Sequence, residues 1–303
     1  MYEQFFGMRE RPFSLTPDTS FFFYNKSHQE ALNVLMVSLH VGEGFIKVTG
    51  EVGTGKTLLC RQLLKQLDES YVSVFIPNPF LEPSALWMAI ADELEIEFTD
   101  DISPHRLHKL ITQRLVELTK SNKRIVICLD EAQSMPLASL EALRLLTNLE
   151  TEKNKLLQVV LFGQPELNDK LNEPSIRQLK QRISHSYTLS PLDRSAVDGY
   201  IAHRLLVAGY NGAPLFLPTA IDAMYRASQG IPRLINILSS KALMIAYGRG
   251  DKAIKSEHIE VAAEDTDGVF RQKSNLPSML LNGLIIITAG ALATGLWMLW
   301  SVK

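Results

Sequence analysis

The residues best suited to chemistry form a glycine-rich run near position 50, with the sequence GEVGTGKT. Its members are Gly50, Glu51, Val52, Gly53, Thr54, Gly55, Lys56 and Thr57, and they fit the pattern G-x-x-x-x-G-K-[ST] completely. Glycines let the backbone curl so that successive N–H groups point at phosphate oxygens. Lys56 then reaches the β and γ phosphates, and the Thr57 hydroxyl is a Mg²⁺ ligand. The run therefore predicts a site for a nucleoside triphosphate with Mg²⁺.

Two adjacent carboxylates, Asp130 and Glu131, follow the apolar run RIVICL about 70 residues after Lys56. Carboxylates at the end of a buried strand are costly unless a cation or strong donors compensate them. We expect Asp130 to hold Mg²⁺ through water, and Glu131 to orient and deprotonate the attacking water. The alternative is a solvated acidic turn. The two carboxylates end a predicted strand that is expected to neighbour the strand before the glycine-rich run. This position favours the catalytic interpretation.

Short apolar runs alternate with helical patterns between residues 44 and 190, and they supply the elements that must position these side chains. The runs FIKVTG, YVSVFIP, RIVICLD and LLQVVLFG begin at residues 45, 71, 124 and 156. They are apolar on both faces, as strands covered by helices on both sides are. A fifth strand is predicted at His185–Leu189. The alternation predicts an α/β P-loop core of three layers. A parallel sheet forms the middle layer, helices cover both of its faces, and the crossovers are right-handed.

Four sections are predicted along the 303 residues. Residues 1–43 form an N-terminal segment and helix, 44–190 the core, 191–268 a helical lid, and 279–300 a long apolar run. The formal net charge of −2 implies no general polyanion-binding surface. The N-terminus has no apolar core of a signal peptide, so the body is expected to stay in the cytosol. Cys60 and Cys128 have no metal-ligand spacing and are interpreted as buried thiols.

The apolar run at residues 279–300 contains no charged residue. A helix of this length matches a hydrocarbon core of about 30 Å. Trp297 and Trp300 lie at one end, and Arg271 and Lys273 before the other end favour a cytoplasmic position for that side. We expect a single-pass anchor in the bacterial inner membrane, with the body in the cytoplasm. The alternative is a buried helix that closes the lid.

Five motifs together carry a family resemblance. They are the two phosphate-site runs, Phe162–Leu167, Gln181–Ile183 and Gly230–Arg233, and the N-terminal segment also matches through Pro12–Ser14 and His28–Leu32. With these motifs the chain resembles the ExeA/GspA group of AAA+ ATPases over about residues 1–268. The resemblance implies an AAA+ fold with a helical lid, ATP hydrolysis, and service to a pilus or secretion machine that crosses the cell envelope.

The resemblance also implies roles for three further residues. Gln164 would be the polar sensor of the γ-phosphate, and Arg233 the sensor arginine of the lid. Arg182 would be the arginine finger offered to the ATP of the next subunit, with Arg177 as the competing candidate. Each has a plain alternative: Gln164 as a turn residue, and the arginines as solvated helix charges.

Three functions are compatible with these residues. The leading one is an ATP-driven assembly factor at the membrane, acting as a homo-oligomer or with partner subunits. The second is a DNA-transaction ATPase, although no basic stripe or added helix-turn-helix indicates nucleic acid as a partner. The third is a scaffold that binds ATP with negligible hydrolysis. A GTPase is disfavoured, because Asn122–Ile125 does not supply the guanine signature Asn-Lys-x-Asp, and ATP is therefore the expected nucleotide.

Overall fold

The computed structural model describes residues 1–99, 101–148 and 155–270, and residues 1–269 form one compact unit. The strands are β1 (Phe45–Gly50), β2 (Tyr71–Ile76), β3 (Arg124–Leu129), β4 (Leu157–Gly163) and β5 (Ile183–Leu189). They form one sheet in the order β2-β3-β4-β1-β5, and every pairing among them is parallel. The predicted α/β P-loop fold with a parallel sheet is confirmed.

Burial explains why these segments are strands. All seven residues of β4 and the last five of β3 are buried, because helices cover both faces of the central strands. The edge strands β2 and β5 are partly exposed. One predicted neighbour relation is wrong: β4, and not β3, pairs with β1. β3, which ends before Asp130, is therefore one position further from β1 than predicted. β4, which ends before Gln164, lies between β3 and β1.

Twelve α-helices occur in the described part of the chain. Before β3 they are α1 (Tyr2–Phe6), α2 (Lys26–Val41), α3 (Lys56–Gln66), α4 (Pro83–Glu93) and α5 (Pro104–Lys120). Next come α6 (Leu137–Leu146), α7 (Glu166–Leu171) and α8 (Arg177–Arg182). After β5 come α9 (Arg194–Val207), α10 (Pro218–Ser228), α11 (Pro232–Arg249) and α12 (Ser256–Glu264).

The longest core helix, α5, shows how sequence sets these elements. The hydroxyl of Ser103 accepts a hydrogen bond from the Arg106 backbone N–H, which caps the first turn. Leu107, Ile111 and Leu115 recur every four residues and are completely or almost completely buried. This spacing places all three on one face, which packs in the core cluster on one side of the sheet.

The N-terminal segment takes part in two separate hydrophobic clusters. Its first part packs with the helices α9–α12 through Tyr2, Phe6 and Phe13. Phe22 and α2 instead pack with β1 and α3 on the sheet. The domain boundaries at residues 43 and 190 stay a prediction. The predicted membrane span at residues 279–300 lies outside the described residues, and no described helix has the length and apolar character needed to cross a bilayer.

Candidate functional site

The glycine-rich run forms a loop between the end of β1 and the start of α3. Gly53 and Gly55 have φ angles of 82° and 99°, a left-handed region that favours glycine. Gly55 is also the N-cap of α3. The buried Thr54 hydroxyl donates to the carbonyl of Glu51 at 2.8 Å, which closes the loop on itself. The positive end of α3 therefore faces the space that the loop encloses, where an anion is stabilised.

Lys56 supplies a buried ammonium group to this loop. Its side chain is 5% exposed, and Nζ donates to the carbonyls of Gly50 at 2.8 Å and Glu51 at 3.0 Å. Burial lowers the pKa of Lys56, and the nearby carboxylates of Glu131 and Asp130 oppose the change. Carbonyl oxygens are weaker partners for an ammonium than phosphate oxygens, because they carry only partial charge. The geometry therefore suits transfer of Nζ from the loop to an incoming phosphate.

Asp130 and Thr57 present two oxygen atoms side by side. The Thr57 hydroxyl donates to Asp130 Oδ2 at 2.5 Å. Burial raises the pKa of Asp130, and the hydrogen bond from Thr57 acts against that rise. A buried carboxylate next to a hydroxyl is a donor set of the kind that Mg²⁺ takes together with phosphate oxygens. The residues present therefore fit the predicted ion.

Glu131 is held by two glutamine side chains. Gln133 and Gln164 each donate from Nε2 to Glu131 Oε2, at 2.5 Å and 3.1 Å. Gln133 Oε1 also accepts the backbone N–H of Gln164 at 2.9 Å, so it joins the end of β4 to the carboxylate. Burial acts to raise the pKa of Glu131, but these amide donors and Lys56 outweigh it and the net change is downward. Glu131 is thus an oriented anion beside the phosphate loop.

The start of α11 lies directly against the phosphate loop. The backbone N–H of Arg233 donates to the carbonyl of Gly53 at 3.2 Å. A Cβ atom added to Gly53 would lie 2.6 Å from the Cβ of Arg233, so the approach needs glycine. The predicted lid sensor therefore lies within contact of the predicted phosphate site, although the two are 180 residues apart in sequence.

A cavity of about 190 Å³ adjoins the loop. The phosphate loop, Glu131, Gln164 and Arg233 line one part of it, and residues 14–18 line another. Tyr200, Arg204 and Asn236 complete the lining from α9 and α11. The structure thus brings together every predicted site residue except the arginine finger candidates.

The arginine finger candidates lie away from this cavity. Arg182 precedes β5, whose first residue pairs with Phe45 at the opposite end of β1 from the phosphate loop. Its Nη1 donates to the Arg144 carbonyl at 3.3 Å and the Thr147 hydroxyl at 3.2 Å. Arg177 is exposed and lines a surface pocket with Lys180. Neither arginine reaches the phosphate loop of its own chain. This position is compatible with the predicted action on the ATP of another subunit.

Sequence reasoning missed three polar residues around the site, of which Arg204 and His28 are buried and Gln133 is partly buried. Gln133 had one signal, a long polar side chain two residues after Glu131. Arg204 had another, because it falls on the apolar stripe of α9 with Tyr200 and Ile201. It is 5% exposed and donates to the backbone carbonyls of residues 12 and 14. His28, which packs behind the phosphate loop, entered the sequence analysis only as the first residue of the motif His28–Leu32, and the motif indicated no role for its side chain.

Comparisons with known proteins agree with this geometry. A family model described as AAA domain matches residues 39–171. General secretion pathway protein A from Aeromonas hydrophila is 44% identical over 299 residues, which are 98% of this chain and 54% of that protein. The chain thus spans about half the length of that relative.

Solved structures share the fold at low sequence identity. Cdc6p from Pyrobaculum aerophilum aligns with a TM-score of 0.64 and 20% identity, over 82% of this chain and 70% of its own. The Aeropyrum pernix ORC2 protein, solved in ADPNP-ADP complexes, has a TM-score of 0.63 and 15% identity, over 86% and 74%. The Walker-type ATPase of Pyrococcus abyssi has a TM-score of 0.59 and 15% identity, over 93% and 79%. These identities establish the fold alone.

Four observations point to one assignment. They are the fold, the phosphate loop with the two nearby carboxylates, the AAA domain match and the 44% identical relative. These findings support an ATPase of the AAA+ type. The resemblance to the ExeA/GspA family that the sequence motifs predicted agrees with the 44% identical relative.

Proposed function

We propose that this ATPase drives assembly of a pilus or secretion machine that crosses the bacterial cell envelope. The observation that carries the proposal is the 44% identity, along 98% of the chain, to a protein named for the general secretion pathway. The chain also resembles MshM, the ATPase of mannose-sensitive haemagglutinin pilus biogenesis, and this favours a pilus. The apolar run at residues 279–300 would anchor it in the inner membrane, with the ATPase body in the cytoplasm.

Each residue of the site has a proposed task in the ATPase cycle. Lys56 and the loop amides bind the phosphates, and Thr57 and Asp130 would hold Mg²⁺, which when bound would neutralise charge on the phosphate oxygens. Glu131 orients the attacking water and accepts its proton. Gln164 and Arg233 contact the γ-phosphate from β4 and from the lid. Loss of that phosphate would change the contact between α11 and the loop, which links hydrolysis to lid position.

The first experiment separates binding from turnover. Calorimetry with MgATP should detect no binding to Lys56→Ala, because the ammonium that compensates the phosphates is gone. Glu131→Gln should bind MgATP and lose turnover. Equal turnover in Glu131→Gln and wild type would refute Glu131 as the base. A pull-down from detergent extract with Glu131→Gln and ATP would then identify the partner subunits, with Lys56→Ala as the matched control.

The second experiment assigns the finger that acts between subunits. Lys56→Ala subunits lack ATP but keep both arginines, whereas Arg182→Ala or Arg177→Ala subunits keep the ATP site. Mixing Lys56→Ala with the variant that lacks the finger should restore turnover, because each partner supplies what the other lacks. No restoration in either mixture would show that neither arginine acts in trans. We propose Arg182 as the finger and Arg177 as its competitor.

The DNA-transaction alternative is not favoured. The relative with high identity carries a secretion name, whereas the origin-recognition and Cdc6 structures share only the fold at 20% identity or less. A titration of DNA binding against salt concentration tests this ranking, since phosphate contacts make affinity fall steeply with salt. Tight, salt-sensitive binding would reverse it.

A further inference from the structure

His28 lies in the first turn of α2, directly behind the phosphate loop. Its side chain is 6% exposed, and the ring of Phe22 packs edge-on against it at 5.6 Å between centroids. Asn25, the N-cap of α2, uses Oδ1 twice: it accepts the His28 backbone N–H at 2.7 Å, and it lies 2.8 Å from ring atom Nδ1. The imidazole is therefore fixed on its Nδ1 side.

The other side of the ring contacts the phosphate loop. A Cβ atom added to Gly55 would lie 2.9 Å from Nε2, so the ring is in close contact with the N-cap of α3. The backbone carbonyl of Thr54 acts on the ring as a nearby acceptor does, in the direction that raises the pKa of His28. The imidazole thus lies between two acceptors, the Asn25 side chain and the Thr54 carbonyl, and the second belongs to the loop itself.

Counting protons shows that a neutral ring cannot serve both acceptors. A neutral imidazole has one N–H, whereas an imidazolium has two. Burial lowers the pKa of His28 to about 4, and the Thr54 carbonyl opposes this change. At neutral pH the ring in the free protein is therefore neutral, and one of the two acceptors has no donor from it.

A bound triphosphate changes the preference of the His28 ring for its neutral form, because it places several negative charges in the loop that the ring contacts. A nearby negative charge favours the charged form of an imidazole. We propose that His28 takes up a proton from solvent when a nucleoside triphosphate binds, so that the imidazolium bridges Asn25 and Thr54 and places a positive charge behind the phosphates. His28 is then a positioning residue for the loop. The proposal depends on triphosphate binding at residues 50–57.

Other ionisable side chains lie on the elements packed around the ring. They are Lys26, Glu30 and His40 on α2, Glu51 in the loop, Lys56, Cys60, Arg61 and Lys65 on α3, and His185 and Tyr187 on β5. Glu30 is already bonded to the Tyr187 hydroxyl at 2.9 Å. The lowered pKa of His28 has burial as its cause, so the incoming phosphates meet a ring whose charge no carboxylate already stabilises.

Calorimetry of the full chain in detergent tests the proposal. MgATPγS is titrated at pH 6.5 in buffers of different ionisation enthalpy, because the buffer dependence of the heat gives the number of protons exchanged. The wild type is expected to show net uptake of a substantial fraction of a proton per nucleotide. Deprotonation of the thiophosphate on binding would release protons, so uptake has the opposite and diagnostic sign.

Variants identify the group that takes up the proton. His28→Asn should lose the uptake and bind MgATPγS about tenfold more weakly at pH 6.5, with a smaller difference at pH 8.5. His203→Asn is the matched control, a half-buried histidine beside Phe23, and should retain the uptake. His28→Gln is the second variant if His28→Asn does not fold.

The outcomes separate this inference from the ATPase assignment. Binding with equal proton exchange in wild type and the His28 variants would overturn the role of His28 alone. Absence of uptake in the wild type would overturn it without any variant. Absence of MgATPγS binding by the wild type would instead overturn the nucleotide site on which both conclusions depend.

Discussion

Acid should destabilise the ligand-free chain through His28. The side chain is 6% exposed, and burial lowers its pKa from 6.5 to about 4. The unfolded chain then binds the proton more tightly than the folded one, so the contribution is fully present above pH 6.5 and is lost as the pH falls towards 4. At about 1.4 kcal/mol per pKa unit the complete loss is about 3 kcal/mol, and about 2 kcal/mol of it is expected between pH 7.5 and 5.

Urea unfolding at pH 7.5 and pH 5 measures this loss. Other groups titrate over the same range, so the informative quantity is the difference between wild type and His28→Asn, which has no proton to bind at that position. The wild type should lose about 2 kcal/mol more than His28→Asn between the two pH values. His185→Asn, at an exposed position of β5, is the matched control and should follow the wild type. Equal pH dependence in wild type and His28→Asn would refute the assigned burial and neutral charge of the ring.

Three substitutions test other contacts of the site. Gly53→Ala should weaken MgATP binding at least tenfold by calorimetry. A left-handed φ costs about 1–2 kcal/mol for alanine, and the new Cβ would lie 2.6 Å from the Cβ of Arg233. Unchanged affinity would contradict the tight packing of α11. Gln133→Leu should lower kcat for ATP about tenfold with little change in KM, the equivalent of one hydrogen bond to the charged Glu131; an unaltered kcat would remove Gln133 from the site. Arg204→Met should lower the free energy of unfolding by about 1–3 kcal/mol in urea, because it leaves buried carbonyls without donors; an unchanged midpoint would show that water replaces the guanidinium.

The phosphate loop was predictable because its chemistry is local. The spacing of Gly50, Gly55 and Lys56 specifies a strand, a turn with left-handed glycines and a helix start within eight residues. The strands were predictable for a similar reason, since runs such as Phe45–Gly50 are apolar and bounded by polar turns. The fifth strand begins at Ile183 instead of the predicted His185, because pairing along β1 extends it by two residues at its exposed end.

The order of the strands and the contacts of the site depend on partners far apart in sequence. Nothing near Asp130 indicates that β4 separates its strand from β1. Gln133 and Gln164 meet on one carboxylate oxygen only because β3 and β4 are neighbours. His28 contacts Gly55 through the packing of α2 on α3, and this packing has no sequence pattern of its own. Such contacts can be recognised only in the folded structure, because each residue of a contacting pair is an ordinary polar residue in the sequence.

The N-terminal segment is held by arginine side chains from both α9 and α3. From α9, Arg204 donates to the carbonyls of Pro12 and Ser14, and from α3, Arg61 donates to the carbonyl of Pro17 at 2.7 Å. Residues 14–18 include the anchored carbonyls of Ser14 and Pro17, and they line the cavity beside Lys56. A shift of α9 relative to α3 must therefore stretch this segment or break one anchor, and either change alters the wall of the cavity. In the proposed ATPase cycle these backbone carbonyls would link the position of the lid to nucleotide occupancy, and no motif in the sequence indicates such a link.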